Sequence, residues 1–324
     1  MKRSRVVALA GGVGAARFLD GLVRVIPPER VFIIGNTADD AEIFGLHISP
    51  DLDTVTYTLA GLANPQHGWG LRGDSFRCLE ALGRLGADTW FQLGDLDLAT
   101  HLHRTERLRQ GASLSEVTSE IATALKVPST LVPMSNESVR TRICTASGEF
   151  EFQTYFVKRR ARDRVTAIHF EGASDASPAP GLLDAIEHAE AIILCPSNPF
   201  ISIGPILAVP GIRQALRQRR EKVAAISPIV GGRAVKGPAA KMMKSMHLRP
   251  SAVEVAKLYV DFTAIFVLDE VDRRESAQVE ALGMRPVITN TIMRGLREKK
   301  SLARVVAREL GIKLQSRIKV GTSA

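Results

Sequence analysis

Three cysteines in 324 residues, Cys78, Cys144 and Cys195, are too few and too far apart for a disulfide scaffold. None forms a C-x-x-C metal pair, so the chain reads as a protein of a reducing, cytoplasmic compartment. Aromatic residues are also sparse, at 5%. The basic clusters at residues 217–220 and 299–300 carry no interleaved aromatics, which argues against a nucleic-acid interface. The net charge of +9 then describes a solvated surface or a field that gathers small anions. No run reaches the roughly 18 apolar residues that cross a bilayer. The basic start, Met1 to Arg5, resembles a signal-peptide opening, but the apolar stretch behind it is broken by Gly11, Gly12 and Gly14 and ended by Arg17. A soluble protein without a membrane partner is expected.

What is present is an ordinary globular balance, 45% apolar and 24% charged, on a chain long enough for a large domain with an insertion. Residues 5–10 form an apolar run followed by glycines and a helical pattern (Phe18, Leu19, Leu22, Val25, Ile26). A second run, residues 31–34, ends at Gly35-Asn36, which makes a β-α-β opening with parallel strands. Residues 69–128 read as a helical insertion, with Leu79, Leu82 and Leu85 on one face and Val117, Ile121 and Leu125 on another. Residues 129–171 read as a β-rich segment joined to the core, with strands at 140–145, 150–157 and 165–170 and a hairpin turn at Ser147-Gly148. Residues 172–181 read as a loop. Buried strands are expected at 191–194, 223–226, 264–268 and 286–289, a last helix at 291–310 and a polar, partly disordered tail from 313 to 324. The fold class is therefore α/β: a Rossmann-like, mostly parallel sheet with helices on both faces, its core in residues 1–68 and 172–312, plus the helical insertion.

Four loops after these strands carry chemistry. Gly11-Gly12-Val13-Gly14-Ala15 stands where strand becomes helix, so backbone N–H groups can cradle phosphate, or it is merely a tight turn. It lacks the third glycine of a dinucleotide fingerprint, because Arg17 stands there, and it lacks a P-loop lysine. Asp39, Asp40, Glu42, Asp51 and Asp53 put five carboxylates within fifteen residues. Such crowding suits Mg²⁺ and a diphosphate, while helix capping and solvent exposure are the alternative. The rigid turn Pro196-Ser197-Asn198-Pro199, with Ser202, offers neutral hydrogen bonds to a nucleotide or simply shapes the backbone. Arg233 and Lys236 flank a glycine turn suited to phosphate or to snorkelling on the surface. Weaker features in the insertion, Trp69, Asp95, Asp97 and His101, can shape a second pocket or serve packing alone.

Three strings, GGVGAARFLDGL at 11–22, NTADDAEIFGLHISPDLDT at 36–54 and PSNPFISIGPIL at 196–207, resemble the 2-phospho-L-lactate transferase family of coenzyme F420 biosynthesis. WGLRGDSF, LGDLDLATH and SPIVGGRAVKG also fall where that family has motifs. The resemblance implies a Rossmann-like homodimer in which Mg²⁺ assists attack by the ribityl hydroxyl of the deazaflavin Fo on a guanylylated C3 acid, with release of GMP. It assigns Asp39, Asp40 and Asp53 to catalysis, and the same three with Asp51 to the metal. Gly11 to Ala15, Ser197, Asn198, Ser202, Arg233 and Lys236 would hold the nucleotide. Thr37, Trp69, Asp95, Asp97 and His101 would receive the acceptor. A related family of nucleotide-sugar-binding regulators shares the glycine-rich start, the acidic pair and the S-N-P turn. The second acidic stretch, Ser49 to Thr54, favours the enzyme.

Overall fold

Short apolar runs that are buried on both faces pair only with one another, and here they build one parallel sheet. The computed structural model describes residues 5–315. The chain opens with β1 (Arg5–Ala10), α1 (Gly12–Leu22) and β2 (Val31–Gly35). A small hairpin, β3 (Ala41–Ile43) and β4 (Leu46–Ile48), leads to α2 (Pro50–Leu59). Next come α3 (Arg77–Arg84), α4 (Asp95–Arg109), α5 (Leu114–Ala124) and β5 (Thr130–Pro133). A separate antiparallel sheet, in the order β7-β6-β8, consists of β6 (Arg140–Thr145), β7 (Gly148–Glu151) and β8 (Val165–Glu171). Then follow α6 (Leu182–Glu187), β9 (Ala189–Leu194), α7 (Gly204–Ala208), α8 (Ile212–Gln218) and β10 (Val223–Ile226). The short strands β11 (Ile229–Val230) and β12 (Arg233–Ala234) precede α9 (Ala239–Ser245), α10 (Ala252–Tyr259), β13 (Ile265–Asp269), α11 (Ser276–Ala281), β14 (Arg285–Thr289) and α12 (Leu296–Glu309).

The central sheet has seven strands in the order β14-β13-β10-β9-β1-β2-β5. Every neighbouring pair is parallel. From β1 the chain moves outward through β2 to β5, then returns to β9 on the other side of β1 and moves outward again. The topological switch point therefore lies between β1 and β9, where ligands of open α/β sheets bind. The alternation along β1 explains the two layers. Val6, Ala8 and Ala10 face α1 and α12, joining Phe18, Leu19, Leu22, Leu302 and Val306. Val7 and Leu9 face the opposite layer, with Leu182, Ile186, Ile212, Leu216 and Val255. Each fully buried Val, Leu, Ile or Phe among them contributes about 1.5–3 kcal/mol of hydrophobic stabilisation.

The expected α/β class with helices on both faces is what the chain adopts. Several details differ. β5, placed in the β-rich segment, is the edge strand of the central sheet, and α5 packs against it. The strand expected at 150–157 ends at Glu151, and Thr154–Lys158 is a turn of π-helix. Its apolar residues fill a pocket under the hairpin instead of pairing: Phe152 and Tyr155 join Ile143 and Val165. The hairpin turn is Ala146-Ser147, since Thr145 already faces Gly148. In α3 only Leu79 is buried, and Leu85 is 84% exposed. The last helix starts at Leu296, not at 291, because Thr291 is held by the Asp269 carboxylate. The disorder expected for the tail lies outside the described residues beyond position 315. No single helix among the described residues is long and apolar enough to cross a membrane.

Candidate functional site

The ladder registers bring the ends of β1, β2 and β9 to one level: Ala10 pairs with Gly35, and Leu9 with Leu194. The loops that leave them enclose a cleft of about 460 Å³. α1 begins one residue beyond β1. Gly12 takes φ +70°, a left-handed conformation that a side chain would strain. At Gly14 the Pro196 carbonyl lies where a Cβ would stand, so glycine is what lets the two loops meet. The Gly11 N–H donates to Ser197 Oγ at 3.3 Å. The Gly12 N–H donates to the Asp51 carboxylate, and the N–H groups of Val13 and Gly14 sit in a first helical turn that has no carbonyl to bond them, and both residues line the cleft.

Asn36 ties the loops together. Its Nδ2 donates to Asp51 Oδ2 at 2.9 Å and to the Ile201 carbonyl at 3.2 Å, while its Oδ1 accepts from the Ala38 N–H at 3.1 Å. Asp39 is held from the second sheet: Thr141 Oγ1 donates to its Oδ1 at 3.2 Å and Gln153 Nε2 to its carbonyl at 3.0 Å. Asp39 and Asp51 are both buried and both line the cleft. Burial and the neighbouring Asp51 raise the Asp39 carboxyl well above its ordinary range. Burial raises Asp51 to about 6, with Asp40 adding to the effect and the Asn36 amide opposing it. Among the described residues neither carboxylate has an ion-pair partner. Across the cleft stand Arg17 and Lys236, which both line it. Lys236 donates to the His67 carbonyl, and its amine is lowered by burial and by Arg17.

The other two aspartates of the acidic stretch are occupied elsewhere. Asp40 accepts from Ser49 Oγ at 2.7 Å and lies 2.9 Å from His47 Nε2. It lines a separate cavity of about 70 Å³, together with Thr37. Asp53 points toward the cleft but forms a two-pronged ion pair with buried Arg104. His101 continues this network, with Nδ1 3.7 Å from Asp53 and Nε2 3.3 Å from Asp97, which in turn accepts from Tyr57 at 2.6 Å. Burial raises the Asp53 carboxyl, and Arg104 followed by His101 opposes the rise.

Of the residues singled out in the sequence, Gly11 to Gly14, Ser197, Asn198, Ser202, Lys236, Asp39, Asp51, Asp53, Trp69, Asp97 and His101 line one cleft. Ala15 is turned into the core. Thr37 and Asp40 face the smaller cavity. Arg233 is exposed on β12, outside the cleft lining. Asp95 lies outside the cleft lining, half-buried, and caps α3 instead, accepting from Ser75 Oγ, Arg77 N and Cys78 N. Asn198 spends its carbonyl oxygen on the Phe200 N–H at 2.9 Å. Unforeseen contributors are Arg17, Asn36, Phe91, Phe152, Gln153 and Phe156. Only Arg17 carried a signal: it lies four residues after Val13, on the same helix face.

The group of Asp39, Asp40 and Asp51 is not a closed cage of ligands. The one triple of His, Cys, Asp or Glu donor atoms within 4.8 Å of one another among the described residues is Cys144, Glu149 and His169. A buried, unpaired pair of oxygen donors nevertheless fits Mg²⁺, which takes one or two carboxylates and completes its shell with water and phosphate.

The family model for 2-phospho-L-lactate transferase CofD matches residues 6–309. A 2-phospho-L-lactate transferase of Methanosarcina mazei is 38% identical over 301 residues, covering 93% of this chain and 99% of the other. A phosphoenolpyruvate transferase of Streptomyces griseus is 44% identical over 287 residues, covering 87% and 90%. Among solved structures, a UPF0052-family protein of Bacillus halodurans superposes with a TM-score of 0.62 at 17% identity, covering 94% of this chain and 99% of that one. That likeness shows the fold alone. Matched along almost its whole length by the family model and by these relatives, the chain belongs to the 2-phospho-L-lactate transferase CofD family.

Proposed function

We propose that this transferase moves a phosphorylated C3-acid unit from a guanosine-diphosphate-linked donor to the terminal ribityl hydroxyl of the deazaflavin Fo. The products are a phosphodiester of the coenzyme F420 type and GMP. The unit is 2-phospho-L-lactate, phosphoenolpyruvate or a similar small acid, the first two being those for which the relatives are named. One observation carries the reading: two buried carboxylates without counter-charge, Asp39 and Asp51, share a cleft with a helix N-terminus and two cations. Such a site is incomplete until a metal and a diphosphate enter it together.

When bound, Mg²⁺ would neutralise the diphosphate and the charge that builds on it during transfer. Asp39 and Asp51 would hold the ion, and a carboxylate oxygen of the pair that is not bound to it would take the hydroxyl proton. The Val13 and Gly14 N–H groups, Arg17 and Lys236 would clamp the phosphates, with Ser197 and Ser202 beside them. The hydroxyl oxygen forms the new P–O bond as the bond to the GMP oxygen breaks. Phe91, Trp69 and the stacked pair Phe152 and Phe156, whose rings lie 5.3 Å apart, give the cleft a flat apolar end suited to a deazaflavin ring. Asp53 is a positioning group in this scheme, because Arg104 already saturates it.

Purified protein incubated with Fo, Mg²⁺ and guanylylated lactate, enolpyruvate or glycerate should yield GMP and a deazaflavin phosphodiester from at least one donor, read by mass spectrometry. Donor binding with no product from any of the three would sink the transferase reading in favour of a binding protein. A cytoplasmic setting accords with three free cysteines. The homodimer implied by the family resemblance is read by light scattering.

A further inference from the structure

We propose that Cys144, Glu149 and His169 form a zinc site on the outer face of the β7-β6-β8 sheet, separate from the cleft. Each strand supplies one donor: Glu149 from β7, Cys144 from β6 and His169 from β8. The register makes the juxtaposition, since Cys144 faces Glu149 directly and His169 is paired with Arg142, two residues along β6 from Cys144. Cys144 Sγ lies 3.6 Å from Glu149 Oε2 and 3.7 Å from His169 Nδ1. Bond lengths of about 2.3 Å to sulfur and about 2.1 Å to nitrogen or oxygen place tetrahedral ligands about 3.6 Å apart, so Cys144 stands at ligand spacing from both partners, and one donor atom from each of the three residues lies within 4.8 Å of the others.

Charge supports the assignment. In the adjacent row Arg142 bridges Glu151 and Glu171. Beside Cys144, Glu149 feels the Arg142 charge, and its ion pair among the described residues is with His169, whose Nε2 lies 3.6 Å away. Thiolate, imidazole and carboxylate together select a borderline-soft divalent ion over magnesium. The inner face of the same sheet carries Ile143 and Val165, which pack with Phe152, a wall of the cleft. A cation bound to all three strands therefore braces that wall from behind.

The test is a cobalt titration of full-length protein stripped with a chelator. The expected result is one Co²⁺ per chain with a thiolate-to-metal charge-transfer band that Zn²⁺ displaces. The oxygen-only cleft can take Co²⁺ but cannot give this band. The band should vanish in Cys144→Ser and persist in Cys78→Ser. Affinity should fall by roughly tenfold or more in Glu149→Gln and in His169→Gln, on a folded sheet confirmed by circular dichroism. No thiolate band in the wild-type chain, a band that survives Cys144→Ser, or wild-type affinity in both Glu149→Gln and His169→Gln would overturn the proposal.

Discussion

Two groups of aspartates stand side by side in this cleft and are handled in opposite ways. Asp39 and Asp51 are buried with no cation of the protein beside them, and burial pushes both up, Asp51 to about 6. Asp53 and Asp97 are also buried, but Arg104, His101 and the Tyr57 hydroxyl surround them. The first pair stores a charge deficit that only a ligand can fill, whereas the second is complete as folded. Burial alone therefore does not mark a binding carboxylate. What marks it is burial with the counter-charge missing.

The comparison breaks most visibly in activity. Asp39→Asn and Asp51→Asn should each lower turnover by roughly a thousandfold or more, since a metal clamp supplies several kcal/mol of transition-state stabilisation. Wild-type rates in either variant would remove the pair from the site. Next in size is Arg104→Leu, which strands Asp53 and should cost about 3–5 kcal/mol in denaturant unfolding. A loss below about 1 kcal/mol would show that the network is not structural. Asp51→Asn should have the opposite effect on stability. In metal-free protein the folded pKa of about 6 lies above the ordinary 3.8, so the folded state holds its proton more tightly. That stability is complete below 3.8 and is lost as pH rises through 6. The amide variant escapes the loss and should be more stable by up to about 3 kcal/mol above roughly pH 7, and equal near pH 4. Equal stability at both pH values would refute the charge deficit. Smallest is Asp95→Asn, which should leave turnover within about twofold and lower the thermal midpoint only slightly through the α3 cap, read by scanning calorimetry.

The strands were legible because each is a short apolar run, and parallel sheets bury both strand faces. β5 was read as part of the β-rich segment and not as a strand of the central sheet, because its place beside β2 depends on where α5 packs and not on its own four residues. The α4 helix was legible as a helix but not as a surface. Asp97, His101, Arg104 and Thr105 repeat with helical spacing and form its buried face, while Leu96 and Leu102 are 55% and 57% exposed. Hydrophobic patterning points the wrong way wherever a helix buries an ion-pair network.

Sequence alone determined the α/β class, the glycine turn at Gly11 to Gly14 and the acidic stretch, because local propensity and glycine placement act over a few residues. Tertiary structure decided which aspartates face the cleft. Asp39 and Asp40 are neighbours in sequence, yet one lines the cleft and the other the small cavity behind it. The direction is set by Thr141 and Gln153, about a hundred residues away, which hold Asp39, and by Ser49 and His47, which hold Asp40. Contacts across such separations depend on the completed switch-point crossover, which leaves no pattern in adjacent residues.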